Sequence, residues 1–561
     1  MKQSAPLSRV QYGIYVDSVT HMGEAYYNLP YFYTFDASLD GDRLCRAIEA
    51  TVAAHPTLFT RISLPDDGEP LQHFDSDEAF HIDVEPVDDI EQVKQGLIVP
   101  FDIYNDRLFR IRLFRDSSHF YLFLDIHHII GDGTTLKVIL SDIEAAYNGS
   151  TLQPEEFTMA QLAAAEAEAR LSPAFDEDKK WYAATFDCGD TFTAIMPDRY
   201  EPRHAEDSLV RTLNIDSAAV DTFCKANGIF RSNFFTAAYA LLLAKYNNEQ
   251  ESLFTTIYNG RTDKRFLHSV GMTVKTLPVY AKFDASTTVV DYMMACQNQM
   301  SGVRKHELYA FSDLMHDINI QSNSMFAWHG TLFADETFAG LSMTTARLCN
   351  STLEASMYLK AFIQDGKYKV KAEYNSNEYS VQLTEQLLES YEAVVKGLLT
   401  CERVADVDIA TDSQRALLDS FNRTDVDYDD DSDIVALFRR QAAATPEATA
   451  VVYDGHAYSY AEVDSISDRL AAALAARGVA PGGVVSVLIP RCEWMAIASL
   501  GVLKAGAAYQ PLDPSYPSER LNFMIKDADA KLLIADAQLR ELVDEYTGDV
   551  ILTSDIAAPS S

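Results

Sequence analysis

Two adjacent histidines, a three-residue spacer and Asp-Gly make up the stretch HHIIGDG at residues 127–133. An imidazole has an ordinary pKa of about 6.5, so a histidine at the lip of a cleft can accept or deliver a proton near neutral pH. Asp132 could orient such a ring, or it could cap a helix and hold a turn; both readings are open on the residues alone. Gly133 permits close approach to its backbone, and an amide at a helix N-terminus can stabilise a developing oxyanion. The alternatives are therefore an active-site loop and an ordinary strand-to-helix corner.

The flanking segments decide how such a loop would be held. FRIRLF at 109–114 alternates in character and predicts a half-exposed strand. FYLFLDI at 120–126 is almost wholly apolar and predicts a buried one, the two being joined by a turn at 116–118. After Gly133 the period changes: Leu136, Leu140, Ile143 and Tyr147 fall at helical spacing, and Asn148-Gly149 supplies a stop. HHIIGDG thus links a buried strand to a helix. Residues 158–186 are predicted to be helical and to bridge two lobes. A second mixed set of strands and helices spans about 208–407, with a buried helix at 234–246 and an alternating strand at 367–375. The aromatic stretch YYNLPYFYTF (26–35) reads as core more readily than as a tunnel wall and receives no role. DVDYDDDSD at 425–433 carries six aspartates in nine residues, a solvated run read as a domain boundary. Beyond it a helix at 461–477 and a strand at 484–489 announce an α/β pattern.

Composition narrows the classes. At 561 residues the chain exceeds one core and predicts three or four structural units. The excess of 83 acidic over 46 basic residues, −37 in all, argues against nucleic acid or an anionic membrane as partner. Seven scattered cysteines without a CxxC pair argue against a disulfide framework or a zinc site and suit a reducing, cytoplasmic setting. The N-terminus lacks the apolar core of a signal peptide, and the longest apolar region, 485–509, is broken by Arg491, Glu493 and Lys504, so no membrane span is expected.

HHIIGDG resembles HHxxxDG, the signature of condensation domains of nonribosomal peptide synthetases, members of the chloramphenicol acetyltransferase-like superfamily. Three further segments are similar in order: SRVQYGIY (8–15), HPTLFTRI (55–62), and NGRTD (259–263) with SVGMTVKTLPV (269–279), so the resemblance covers roughly residues 6–410. Phe59 stands where an arginine is common, Thr273 replaces the usual Phe, and Lys275 replaces the usual Asn. The resemblance implies an α/β (α+β) fold, a V-shaped pseudodimer of two acetyltransferase-like lobes at 1–175 and 176–412, followed by an acidic linker at 413–433. It also implies amide-bond formation between a donor acyl or peptidyl thioester and an acceptor aminoacyl thioester, each on the phosphopantetheine arm of a carrier protein, with no cofactor or metal held by the chain itself. In that picture His128 faces the reacting atoms, orienting the amine first and moving a proton second. Gly133 offers an amide near the oxyanion, Asp132 holds the loop, and His127 supports it. The arginine that pairs with Asp132 is Arg61 or Arg261, and the resemblance does not choose between them.

Residues 434–535 resemble the start of an adenylation domain, most specifically in LKAGAAYQPLDP (503–514). The family's phosphate loop, ribose-binding Asp and catalytic lysine lie further on, so residues 434–561 are expected to form a partial adenylation subdomain unable to activate an amino acid. The chain is expected to be a piece of a longer synthetase, whose remainder would be a partner beside the donor and acceptor carriers. Alternatives are a lipoinitiating condensation from a fatty acyl thioester, an O-acyltransferase of the same superfamily using acyl-CoA, and a non-catalytic recruiting module. An epimerisation domain fits poorly, because DGTTL (132–136) stands where that family usually reads DxxSW. The donor, the acceptor amino acid and the donor's stereochemistry stay open, and a monomer is the default.

Overall fold

The computed structural model describes residues 4–66, 68–74, 79–186, 191–201, 206–261, 263–309, 311–318, 321–331, 336–348, 356–427 and 431–557. The chain falls into two compact units, residues 1–421 and 422–561.

In the first unit, strands Asn28–Asp36 and Phe109–Arg115 flank His119–His127, which is buried along nearly its whole length. It pairs antiparallel with both neighbours, Asn28 opposite His127 and Phe109 opposite Ile126. A near-continuous apolar run is what a central strand covered on both faces requires. Six strands complete this sheet, in the order Glu336–Phe338, Leu341–Arg347, Asn28–Asp36, His119–His127, Phe109–Arg115, Val84–Pro86. The helices Gly41–Ala54 and Gly133–Tyr147 cover one face, burying Leu44, Ile48, Leu136, Ile139 and Ile143 with Phe35 and Leu122.

A second six-stranded sheet runs Lys275–Lys282, Glu251–Tyr258, Ser324–Gly330, Met357–Gln364, Lys367–Asn375, Glu206–Thr212. Its largest core lies under the helix Arg231–Tyr246, where every residue from Asn233 to Ala244 is buried. A helix apolar on all sides must be enclosed, and Val289–Lys305 and Val381–Thr400 enclose it. Side chains alternate across a strand. Phe254 and its ladder partner Val279 therefore enter this core, while Leu253 and its partner Tyr280 occupy the opposite face.

The two sheets are not divided cleanly along the sequence. The hairpin Glu336–Phe338 and Leu341–Arg347 leaves the second half of the unit and pairs with the first sheet, Arg347 opposite Tyr31 and Thr344 opposite Thr34. A contiguous boundary at 175/176 would have placed these strands with the second lobe. The edge of Asn28–Asp36 offers unpaired backbone groups, and Phe338 and Met343 gain burial in the first core, which accounts for the crossing. The span expected as an acidic linker also departs from a plain coil, because the helix Asp412–Phe421 occupies its start; residues 428–430 lie outside the described residues.

The second unit holds a four-stranded parallel sheet, Ala508–Leu512, Val484–Leu488, Leu532–Ala535, Asp549–Leu552, with helices Tyr460–Ala476 and Trp494–Lys504 packed against it. Among the described residues no helix is long and apolar enough to cross a membrane. Cys45, Cys224, Cys296, Cys401 and Cys492 are free thiols, and Cys188 and Cys349 lie outside the described residues.

Candidate active site

The central strand delivers His127 to its end, and a single 3-10 turn, His128–Ile130, follows. The turn is tied down on three sides. The His128 amide donates to the Tyr27 carbonyl at 2.8 Å, the Gln11 side chain donates to the Ile129 carbonyl at 3.0 Å, and the Ile129 amide donates to His127 Nδ1 at 3.2 Å. Gln11 is itself fully buried and fixed by the Ser8 amide and by Gln72.

The two histidines face different surroundings. His127 is buried and lines a cavity of about 270 Å³ with Ser18, His21 and Phe101. Its Nδ1 accepts from the Ile129 amide, so in the neutral ring the proton sits on Nε2, which lies 3.5 Å from Ser18 Oγ. Burial, reinforced by the nearby His128 and Arg110, pulls its pKa down to about 3. A ring that stays neutral, with its basic nitrogen already committed, supports the turn and is poorly placed to take a proton. His128 instead lines a second cavity of about 220 Å³, formed by the helix Arg9–Thr20, Tyr27 and the free face of the second sheet. The Tyr27 ring meets His128 edge-on at 6.3 Å and His127 at 6.1 Å, and it lines both cavities.

Asp132 is completely buried and does both things its residue type allowed. As N-cap of Gly133–Tyr147 its Oδ1 accepts the Thr135 amide at 2.8 Å, and the same oxygen accepts Arg261 Nη2 at 3.0 Å. Its Oδ2 accepts the Thr273 amide at 3.1 Å and the Thr273 hydroxyl at 2.9 Å. Arg261, also buried, donates onward to the Phe266 carbonyl at 3.2 Å. The salt bridge that the sequence left between two arginines is thus made by Arg261. Arg61 sits half-buried on the strand Thr60–Ser63, opposite His73. Thr135 Oγ1 and the Gly271 backbone exchange two bonds of 3.0 Å, which completes a seam between the loop and residues 259–273. A buried carboxylate with four donors, one of them a guanidinium, is a stiff anchor.

Gly133 is the first residue of the helix, exposed, with nothing within 4 Å of where a Cβ would stand. Its amide is one of the helix's orphan donors and carries the positive end of the helix dipole. Two residues upstream of His127, Asp125 is fully buried against Asn28 Nδ2 at 2.7 Å and Arg110 Nη1 at 3.5 Å, and burial pushes its pKa up to about 6. Among the described residues no group of three or more His, Cys, Asp or Glu is placed to hold a metal ion.

The structure brings His127, His128, Asp132 and Gly133 onto one loop with Arg261 bound to it, and places the other candidate, Arg61, on the strand Thr60–Ser63. Sequence reasoning missed Tyr27, Thr135 and the anchoring role of Gln11. Tyr27 could have been reached from strand register, since it precedes the residue that pairs with His127. Thr273, singled out only as a departure from a pattern, proves to be a double donor to Asp132.

The comparisons place the chain in a family. Residues 1–418 match the Condensation domain family and residues 438–560 the AMP-binding enzyme family. The chain belongs to the condensation domain family, with the first part of an AMP-binding domain following it. Tyrocidine synthase 3 of Brevibacillus parabrevis is 27% identical over 97% of this chain and 9% of its own length. Bacitracin synthase 1 of Bacillus licheniformis is 26% identical over 97% of this chain and 11% of its own. The chain therefore spans about a tenth of these curated relatives. Among solved structures, a four-domain nonribosomal peptide synthetase bound to AMP and glycine superimposes with a TM-score of 0.84 at 20% identity, covering 99% of this chain and 45% of that one. The first condensation domain of the calcium-dependent antibiotic synthetase gives 0.62 at 17% identity, covering 73% of this chain and 99% of that one. These likenesses confirm the mixed α/β condensation fold.

Proposed function

We propose that this chain forms an amide bond between a donor acyl or peptidyl thioester and an acceptor aminoacyl thioester, each carried on the phosphopantetheine arm of a carrier protein. The observation that carries the reading is His128: it lines the cavity against the second sheet, on a turn locked through Asp132 to Arg261 and Thr273, whereas His127, which lines the other cavity, has its Nδ1 committed to the Ile129 amide. The acceptor's amine attacks the donor carbonyl, the tetrahedral intermediate collapses, the C–S bond breaks, and the amine's proton leaves with the thiol. An α-amine has a pKa of about 8 and is appreciably free near neutrality, so holding it in line contributes more than removing its proton. His128 accepts the amine's hydrogen bond, and the Gly133 amide faces the oxygen on which charge develops. Asp132, Arg261 and His127 act by positioning. Carrier proteins and the remainder of a synthetase are the partners, and the free, scattered cysteines suit a cytoplasmic setting.

Intact-protein mass spectrometry of two loaded carriers tests this. Wild type transfers the donor mass to the acceptor carrier, and His128→Ala loses that transfer. Transfer from acyl-CoA to a soluble alcohol, with none between carriers, would establish the O-acyltransferase reading. A fatty acyl donor accepted in preference to aminoacyl donors would make it a lipoinitiating domain, and equal transfer by both proteins would overturn the role of His128.

A further inference from the structure

The cavity beside His128 has one wall that packing does not explain. Gly13 lies in the interior of the helix Arg9–Thr20, exposed, and a Cβ built on it meets nothing within 4 Å. Glycine in a helix interior is a poor helix former, and the usual excuses are a close neighbour or a left-handed backbone. Neither applies here, and Gly13 lines the same cavity as His128. The walls around it are apolar: Val10, Ile14, Ile257, Val274, Leu277 and Phe311. Four charged residues also line the cavity: Lys275 Nζ stands 3.5 Å from the Glu307 carboxylate and 3.2 Å from its carbonyl oxygen, Arg9 Nη2 donates to Asp313 at 2.8 Å, and Glu166 Oε1 accepts the Arg9 amide at 2.8 Å. Neither Gly133 nor any other residue of the helix Gly133–Tyr147 contributes to the lining.

From this arrangement we infer that the cavity is the subsite for the side chain of the acceptor aminoacyl group, that it selects aliphatic or aromatic side chains, and that Gly13 is the residue that sets their size. The inference rests on the amide-forming reading. The amine must reach His128, and the side chain one carbon away then falls into this cavity. The donor carbonyl, set against the Gly133 amide, lies on the other side of the turn. A negatively charged acceptor side chain would have to break the Lys275–Glu307 or the Arg9–Asp313 pair to be neutralised.

The test is the acceptor selectivity of the full chain with carriers loaded with glycine, leucine, phenylalanine or aspartate and one fixed donor, for wild type, Gly13→Ala and Gly13→Leu. Wild type is expected to favour leucyl and phenylalanyl over glycyl and aspartyl acceptors by at least ~10-fold, the range a hydrophobic pocket supplies per methylene or two. Gly13→Leu should shrink the phenylalanyl-to-glycyl ratio at least ~10-fold, Gly13→Ala should do so less, and both should melt no lower than wild type. An equal fall for all four acceptors would mean a merely structural glycine, and unchanged ratios would mean an unused cavity; either overturns the inference. Altered selectivity among donors at one fixed acceptor would assign the cavity to the donor instead. Absence of transfer by wild type with every carrier pair would sink the amide-forming reading itself, before any variant is compared.

Discussion

Replacing Arg261 by Met removes the guanidinium that faces the buried Asp132 carboxylate. The arginine's bond to Asp132 at 3.0 Å and its bond to the Phe266 carbonyl at 3.2 Å are both lost. Asp132 keeps three neutral donors, the amides of Thr135 and Thr273 and the Thr273 hydroxyl, so it stays solvated in part but uncompensated in charge. Breaking a buried pair from one side costs about 3–5 kcal/mol, a large fraction of the 5–15 kcal/mol that typically holds a domain. Arg61→Met, at a half-buried position on the strand Thr60–Ser63, should cost less than Arg261→Met. Asp132→Asn alone presents an amide to two donors at Thr273 and should cost about 1–3 kcal/mol. Because the two residues touch, the double variant should be better than the sum of the singles by about 0.5–3 kcal/mol. Urea unfolding read by tryptophan fluorescence gives the energies, since Trp181 and Trp328 report the first unit and Trp494 the second. Hydrogen exchange of peptides covering 127–147 and 259–275 shows whether the loss is local. An Arg261→Met cost below 1 kcal/mol, or strict additivity in the double variant, would refute the claim that this pair clamps the histidine loop.

Two further outcomes follow from the same network. Gly260 has φ of +64°, and a Cβ there would stand 1.9 Å from the Thr273 carbonyl oxygen, whereas Gly228, at φ +66°, has nothing within 4 Å. Gly228→Ala should therefore lose only the ~1–2 kcal/mol of the left-handed conformation, and Gly260→Ala clearly more, with condensation falling as Thr273 is pushed off Asp132; equal melting points would contradict this. Asp125, with its folded pKa raised from 3.8 to about 6, binds its proton more tightly folded than unfolded. Its contribution to stability therefore falls as pH rises from about 4 to 6 and is constant above, a loss of about 3 kcal/mol. Asp125→Asn should gain on wild type between pH 5 and pH 8 in urea unfolding, and a difference that does not change with pH would remove burial as the cause.

Much of this protein is decided locally. The alternation of 109–114, the apolar run of 120–126 and the helical spacing from Leu136 to Tyr147 each bury a face in one way only, and the corresponding strands and helix form where the spacing places them. The loop between them, its Asp132 cap and Gly133 at the helix start follow from the same residues. Pattern could not decide which arginine meets Asp132, because Arg261 comes from 129 residues away and the pairing depends on how the two sheets face each other. Nor could it decide that the hairpin 336–347 leaves its own half to close the edge of Asn28–Asp36, a pairing between segments far apart in the sequence. The division of labour between His127 and His128 is likewise tertiary. Adjacent and chemically identical in sequence, they differ because one is buried with Nδ1 held by an amide and the other lies along the wall of a cavity built from the helix Arg9–Thr20 and the second sheet.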